Sequence, residues 1–186
     1  MYKDKGSKFI GYSFPILSEE EAKSHILDLK KKHHAARHWC YAWRIGVKNK
    51  QYRVNDDGEP SNTAGQPIYG QILSKDVTNI LVVVVRYYGG INLGVGGLIT
   101  AYKTTAKLIL EESAIIQKTI KVNFQINFEY VDMNKVMKII KDQKLTILKQ
   151  HMELNCEFIV EVRESNASKI MQMFEDLRCL KIKKLS

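Results

Sequence analysis

Ile80-Leu81-Val82-Val83-Val84-Val85-Arg86-Tyr87-Tyr88-Gly89-Gly90-Ile91-Asn92-Leu93-Gly94-Val95-Gly96-Gly97 is the stretch that decides the fold. Six apolar residues, five of them β-branched, run without alternation from Ile80 to Val85. Such a run predicts a strand buried on both faces. Five glycines then fall within nine residues, Gly89 to Gly97. They let the backbone take positive φ and approach a partner closely. From Leu98 to about Glu112, Leu98, Ala101, Thr105 and Leu108 recur on one side, predicting a helix. Strand, glycine loop and helix together make a crossover whose helix amino terminus aims free N–H groups at the loop, a natural anion site. The loop is neither a P-loop, since no Gly-Lys-Ser/Thr follows, nor a dinucleotide fingerprint, since Ile99 stands where the third glycine belongs. Ligand binding, through Arg86, Gly89, Gly90, Gly94, Gly96 and Gly97, and simple close packing both fit this pattern.

Upstream, Phe9 to Ile16 predicts a first strand. Ser18-Glu19-Glu20-Glu21 is a capping box opening a helix, with Ala22, Ile26 and Leu29 as its apolar stripe and Lys30-Lys31-Lys32 where positive charge suits its carboxyl end. His38 to Val47 predicts a second strand. Lys48 to Gln66 is polar, and a short helix is expected from about Thr63 to Leu73. Within the polar segment, Arg53-Val54-Asn55-Asp56-Asp57-Gly58-Glu59-Pro60-Ser61-Asn62-Thr63 carries turn chemistry. Asp56, Asp57 and Glu59 lie within four positions, a density able to hold a hard cation or to serve acid–base chemistry. They miss the EF-hand spacing. An acidic turn that caps a neighbouring helix or pairs with Arg53 or Arg86 is the structural alternative.

The second half alternates more regularly. Val122, Phe124, Ile126, Phe128 and Tyr130 interleave with polar residues as a half-buried strand. Met133, Val136, Met137 and Ile140 form a helical stripe. Leu145–Leu154 and Cys156–Arg163 predict a hairpin, Ala167, Ile170, Phe174 and Leu177 a helix, and Cys179–Leu185 a last strand. The order βαββαβ is ferredoxin-like. The aromatics of its first strand fall on the buried face, so a base-stacking platform on the sheet is not expected. The fold class is therefore α+β in two domains, 1–118 and 119–186.

Three cysteines far apart exclude a disulfide framework and a zinc ribbon. No apolar run is long enough for a transmembrane helix, and the charged start, Met1 to Lys5, is not a secretory signal. A cytoplasmic protein with reduced thiols is expected. His33, His38 and Cys40 lack further ligands, so no metal is expected, and no cofactor. The net charge of +9 divides as +6 through Lys118 and +3 after it, and is dominated by lysine. It permits contact with RNA phosphates and equally describes a lysine-rich soluble surface.

Several strings resemble the YigZ/IMPACT family in order and spacing. They are Ser7-Lys8-Phe9-Ile10; His33 with Ala36-x-His38-x-Cys40-x-Ala42 and Arg44-Ile45-Gly46; Asp56-Asp57-Gly58-Glu59-Pro60 with Thr63-Ala64-Gly65-x-Pro67-Ile68; and Val83 to Leu98 with Ala101-Tyr102. The resemblance covers the first domain almost fully. It implies an N-terminal α/β domain with a left-handed βαβ unit of the type found in a small-subunit ribosomal protein and in elongation factor G. The second half resembles the last domain of that factor. It further implies a link to translation; together with the net positive charge this makes a non-catalytic regulator that contacts RNA, the ribosome or a ribosome-associated protein the expected function. A small-ligand binder or enzyme built on Asp56–Glu59 and Arg86–Gly97, and a protein-interaction module, are the alternatives. Eukaryotic relatives bind the activator of the amino-acid-starvation kinase through a different domain arrangement, so that partner is not carried over. Asn92 and Thr100 stand where the family commonly has lysine and arginine, which removes two positive charges from the anion site; Arg86 and Lys103 remain.

Overall fold

The computed structural model describes residues 1–47 and 49–185. Lys48, the first residue of the polar segment, lies outside the described residues. The chain divides into two compact units, Met1–Ile115 and Ile116–Ser186, each an antiparallel sheet with helices.

The first unit contains β1 (Tyr2–Asp4), β2 (Ser7–Pro15), α1 (Glu19–Lys32), β3 (His38–Ile45), β4 (Gln51–Asn55), α2 (Gly65–Ser74), β5 (Ile80–Tyr87) and α3 (Gly94–Glu112). The sheet order is β1-β2-β5-β3-β4. The apolar run thus becomes the central strand, antiparallel to both neighbours, with Leu81 to Arg86 all buried. Side chains alternate across a strand. Val82 and Val84 accordingly join Phe9, Cys40, Ala42, Ile68 and Tyr102 under α2 and α3. Leu81, Val83 and Val85 join Ala22, Leu29 and Trp43 under α1. The strand is thus buried on both faces as expected, by α2 and α3 on one and by α1 on the other.

Local chemistry explains the element ends. The Ser18 hydroxyl accepts from Glu21 N at 3.2 Å, and the Glu21 carboxylate reaches back past the cap to Leu17 N at 2.7 Å. β4 falls within the segment read as polar turn. It is an edge strand whose Gln51, Tyr52 and Arg53 are exposed, so it shows no buried alternation; Tyr52 stacks on Tyr69 of α2 instead. α3 begins at Gly94, four residues before the expected Leu98. Glycine is a poor helix former and hides that first turn from a propensity reading. Leu93, largely buried, anchors the turn to the core.

The second unit runs β6 (Lys121–Glu129), α4 (Met133–Asp142), β7 (Thr146–His151), β8 (Asn155–Arg163), α5 (Ala167–Glu175) and β9 (Leu180–Lys184). Its strands lie in the order β7-β8-β6-β9, antiparallel throughout. Phe124, Ile126 and Phe128 pack with Val136, Ile140, Ile170 and Phe174 on one face. Among the described residues no helix is long and apolar enough to cross a membrane.

Candidate functional site

β3 delivers His38 and Cys40, and β5 delivers Arg86, to the sheet face that carries α2 and α3. The turn between β4 and α2 folds over them. Asp57 adopts φ 43° and Gly58 φ 87°, so the chain reverses tightly at this point. Asn55 Oδ1 accepts from Asp57 N at 2.7 Å, closing an Asx turn.

Each acidic residue of the turn is turned inward on protein donors. Asp56 accepts from Asn62 N at 2.9 Å through one oxygen, and from Ala64 N and Gly65 N at 3.0 and 2.8 Å through the other. It therefore caps α2 from eight residues upstream, where Ala64 at the N-cap makes no side-chain bond. Asp57 accepts from Trp39 N at 2.7 Å and from Lys30 Nζ at 3.3 Å, tying the turn to β3 and to α1. Its carbonyl accepts from His38 Nδ1 at 2.8 Å, which places the imidazole proton on that nitrogen. Thr63 is buried and donates its hydroxyl to Pro60 O at 2.6 Å.

Glu59 and Arg86 meet at the centre. Glu59 Oε1 accepts from Arg86 Nη1 at 2.6 Å and from the Tyr102 hydroxyl of α3 at 2.7 Å. The two charged side chains are only 4% and 6% exposed, so the pair is cut off from solvent screening. Arg86 lies over the Phe9 and Tyr88 rings, and its Nη2 is 3.4 Å from Ser7 Oγ. Its Nε has no hydrogen-bond partner among the described residues. Ser7 Oγ also accepts from Gly89 N at 3.2 Å. The Cys40 thiol lies 3.0 Å from the Asp56 carbonyl and 3.2 Å from the Tyr102 oxygen, donating to one or the other. Burial, followed by the surrounding carboxylates, pushes the Cys40 thiol up; its bond to Tyr102 opposes this in part. Burial likewise raises Tyr102, helped by Cys40 and Glu59. Both stay protonated, so neither is a ready nucleophile or base.

The expected residues thus separate. Asp56, Asp57, Glu59, Thr63 and Arg86 are brought together. Arg53 points to the other face, where its Nη1 meets Glu19 of α1 at 2.5 Å. The glycines separate too. Gly89 lies against the β1–β2 turn; a Cβ there would sit 2.0 Å from Gly6 C, so only glycine fits. Gly90 and Gly94 have φ 86° and 74°. Gly97 is close to Leu93, whereas Gly96 faces open space in an ordinary helical conformation. Ser7, His38, Cys40 and Tyr102 complete the network. All four occur in the strings that carry the family resemblance, but no spacing rule connects residues so distant in sequence.

These features define a two-unit α+β protein in which a buried arginine–glutamate pair locks an acidic turn to a glycine-rich crossover. Residues 5–110 match the family model described as the Impact N-terminal domain. The chain is 33% identical over 163 residues to the IMPACT family member YvyE of Bacillus subtilis (strain 168), covering 87% of this chain and 75% of that protein. It is 38% identical over 128 residues to the IMPACT family member YigZ of Escherichia coli (strain K12), covering 68% and 63%. A crystal structure of a hypothetical protein superimposes with a TM-score of 0.69 at 28% identity, covering all of this chain and 92% of that one. The chain belongs to the YigZ/IMPACT family.

Proposed function

We propose that the chain is a non-catalytic, translation-linked regulator that works in the cytoplasm by contacting RNA of the translation machinery. The observation that carries this reading is the closed Glu59–Arg86–Tyr102 network. Apart from Arg86 Nε, the residues richest in chemistry satisfy one another and are shut off from solvent, which suits a rigid frame and leaves no free acid, base or nucleophile among them. Family membership supplies the link to translation. The net charge of +9 supports a phosphate-bearing partner. Of the anticipated anion site, Gly90, Gly94 and Gly96 still face outward beside the α3 amino terminus, and they are proposed to meet the partner's backbone.

The same proposal divides the chain into domains 1–118 and 119–186. It takes the first domain as an α/β domain with a left-handed βαβ unit and the second domain as ferredoxin-like. The antiparallel order β9-β6-β8-β7, first strand beside last, supports the latter. The test is co-sedimentation with ribosomes and binding to RNA across a salt series. Binding that falls steeply with rising salt is expected. No binding at low salt would overturn the RNA reading.

A further inference from the structure

The α1 layer holds a concave surface, on the opposite face of the sheet from the closed Glu59–Arg86 pair. It is a cavity of about 270 Å³ lined by Tyr12, Phe14, His25, Asp28, Leu29 and Lys32. One wall is β2, where the Tyr12 and Phe14 rings stack at 6.3 Å and 10°. β1 pairs with β2 at Ser7–Phe9, so these two rings stand beyond its end. The other wall is one stripe of α1, since His25, Asp28, Leu29 and Lys32 are spaced i, i+3, i+4, i+7. The His25 ring lies flat on Phe14 at 4.3 Å and 12°. Lys32 Nζ sits 5.2 Å above the Tyr12 ring. Asp28 is exposed and pairs with Lys31 at 3.6 Å.

Helix-on-sheet packing does not require this arrangement. α1 is held by buried Ala22 and Leu29 with Ile26 beside them. His25, Asp28 and Lys32 are extra to that task, yet they converge on two aromatic rings. Flat aromatic and imidazole faces stack on bases. A lysine beside them suits a phosphate as a point charge. A carboxylate repels phosphate but accepts from the exocyclic amines of a base edge, so Asp28 in the lining favours a base over a second phosphate at this end of the cleft. The volume lies just under the range of drug-sized pockets, about 300–1,000 Å³, which suits one base and not several.

We infer that this cleft binds one unstacked base of single-stranded RNA, with the base against His25 and the Phe14–Tyr12 wall, an exocyclic amine on Asp28, and the adjoining phosphate on Lys32. The inference rests on the RNA reading above and adds to the glycine loop a further contact surface with a base preference.

Fluorescence anisotropy of the full chain with labelled oligocytidylate and oligouridylate of roughly eight nucleotides tests it. Oligocytidylate is expected to bind at least about fivefold tighter, because only cytosine offers an amine. Asp28→Ala removes that difference without weakening oligouridylate. His25→Ala weakens both about fivefold or more. Lys32→Ala weakens both and lowers the salt slope by about one, and Lys32→Arg restores it. All three positions lie outside the buried core, and the emission of Trp39 and Trp43 confirms that each variant folds. RNA binding that none of these variants alters overturns this cleft and leaves the functional reading standing. The same holds for ribosome binding without any affinity for free oligonucleotide. Absence of both kinds of binding at low salt overturns the two together.

Discussion

Replacing Glu59 by alanine is the sharpest test of the closed network. One carboxylate oxygen receives both Arg86 and Tyr102, so the substitution strands a guanidinium that is 6% exposed. What remains near it is Ser7 Oγ at 3.4 Å and two aromatic faces. Breaking one side of a buried pair costs about 3–5 kcal/mol, and leaving the tyrosine hydroxyl short of an acceptor adds about 1 kcal/mol. The total, about 4–6 kcal/mol, is a large share of a typical domain stability of about 5–15 kcal/mol. With a urea slope of about 2 kcal/mol/M the midpoint falls by about 2–3 M. The assay is specific to the first unit, because both tryptophans of the chain, Trp39 and Trp43, lie in it. The double variant Glu59→Leu with Arg86→Met removes both charges, and it should lose at least about 2 kcal/mol less than the two single losses combined. A loss below about 1 kcal/mol for Glu59→Ala, or simple additivity in the cycle, would refute the claim that this pair is buried and mutually dependent.

Four further outcomes follow from the geometry. Asp56→Ala removes the acceptor for three backbone N–H groups and should cost about 2 kcal/mol in the same urea assay, with Asp56→Asn retaining roughly half. Gly89→Ala should abolish soluble folded protein, because its Cβ has no space against Gly6, whereas Gly96→Ala should raise stability by about 0.5–1 kcal/mol; thermal unfolding separates the two. A thiol reagent at mild alkaline pH should leave Cys40 and Cys156 unlabelled until the chain unfolds, since both are buried and Cys40 is held protonated; peptide mapping reads this. His33 is bonded to Tyr12 and Tyr87 at 2.6 and 2.8 Å, and burial, then Lys32, hold its pKa below the ordinary 6.5. The unfolded chain therefore binds a proton first as pH falls through that value, so His33 favours unfolding on acidification. His33→Gln should flatten the loss of stability below about pH 6.5, measured against the unaltered protein.

The relation between sequence and structure differs from element to element. The run Ile80–Val85 was sufficient for a central strand, because only a two-sided core tolerates six unbroken apolar residues. Ser18 and Glu21 were sufficient for the start of α1, because capping is satisfied within four residues. β4 was hidden because an edge strand buries little and its composition is that of a turn. The start of α3 was hidden because glycine argues against a helix and only the burial of Leu93 supports one there. At the site, the sequence marked Asp56, Asp57, Glu59 and Arg86 as unusual but left open whether they faced a ligand or each other.

What the sequence determined by itself is whatever depends on neighbours along the chain: strands and helices by their periodicity, caps and turns by their side chains, and family membership by the order of its strings. Only the tertiary structure decided that Glu59 and Arg86, 27 residues apart, spend their charges on one another, that Arg53 leaves for the other face, and that Asp56 caps a helix it does not belong to. The reason is physical. Desolvation and pairing depend on distances across the sheet, and those distances are set by strand register, which no local pattern specifies.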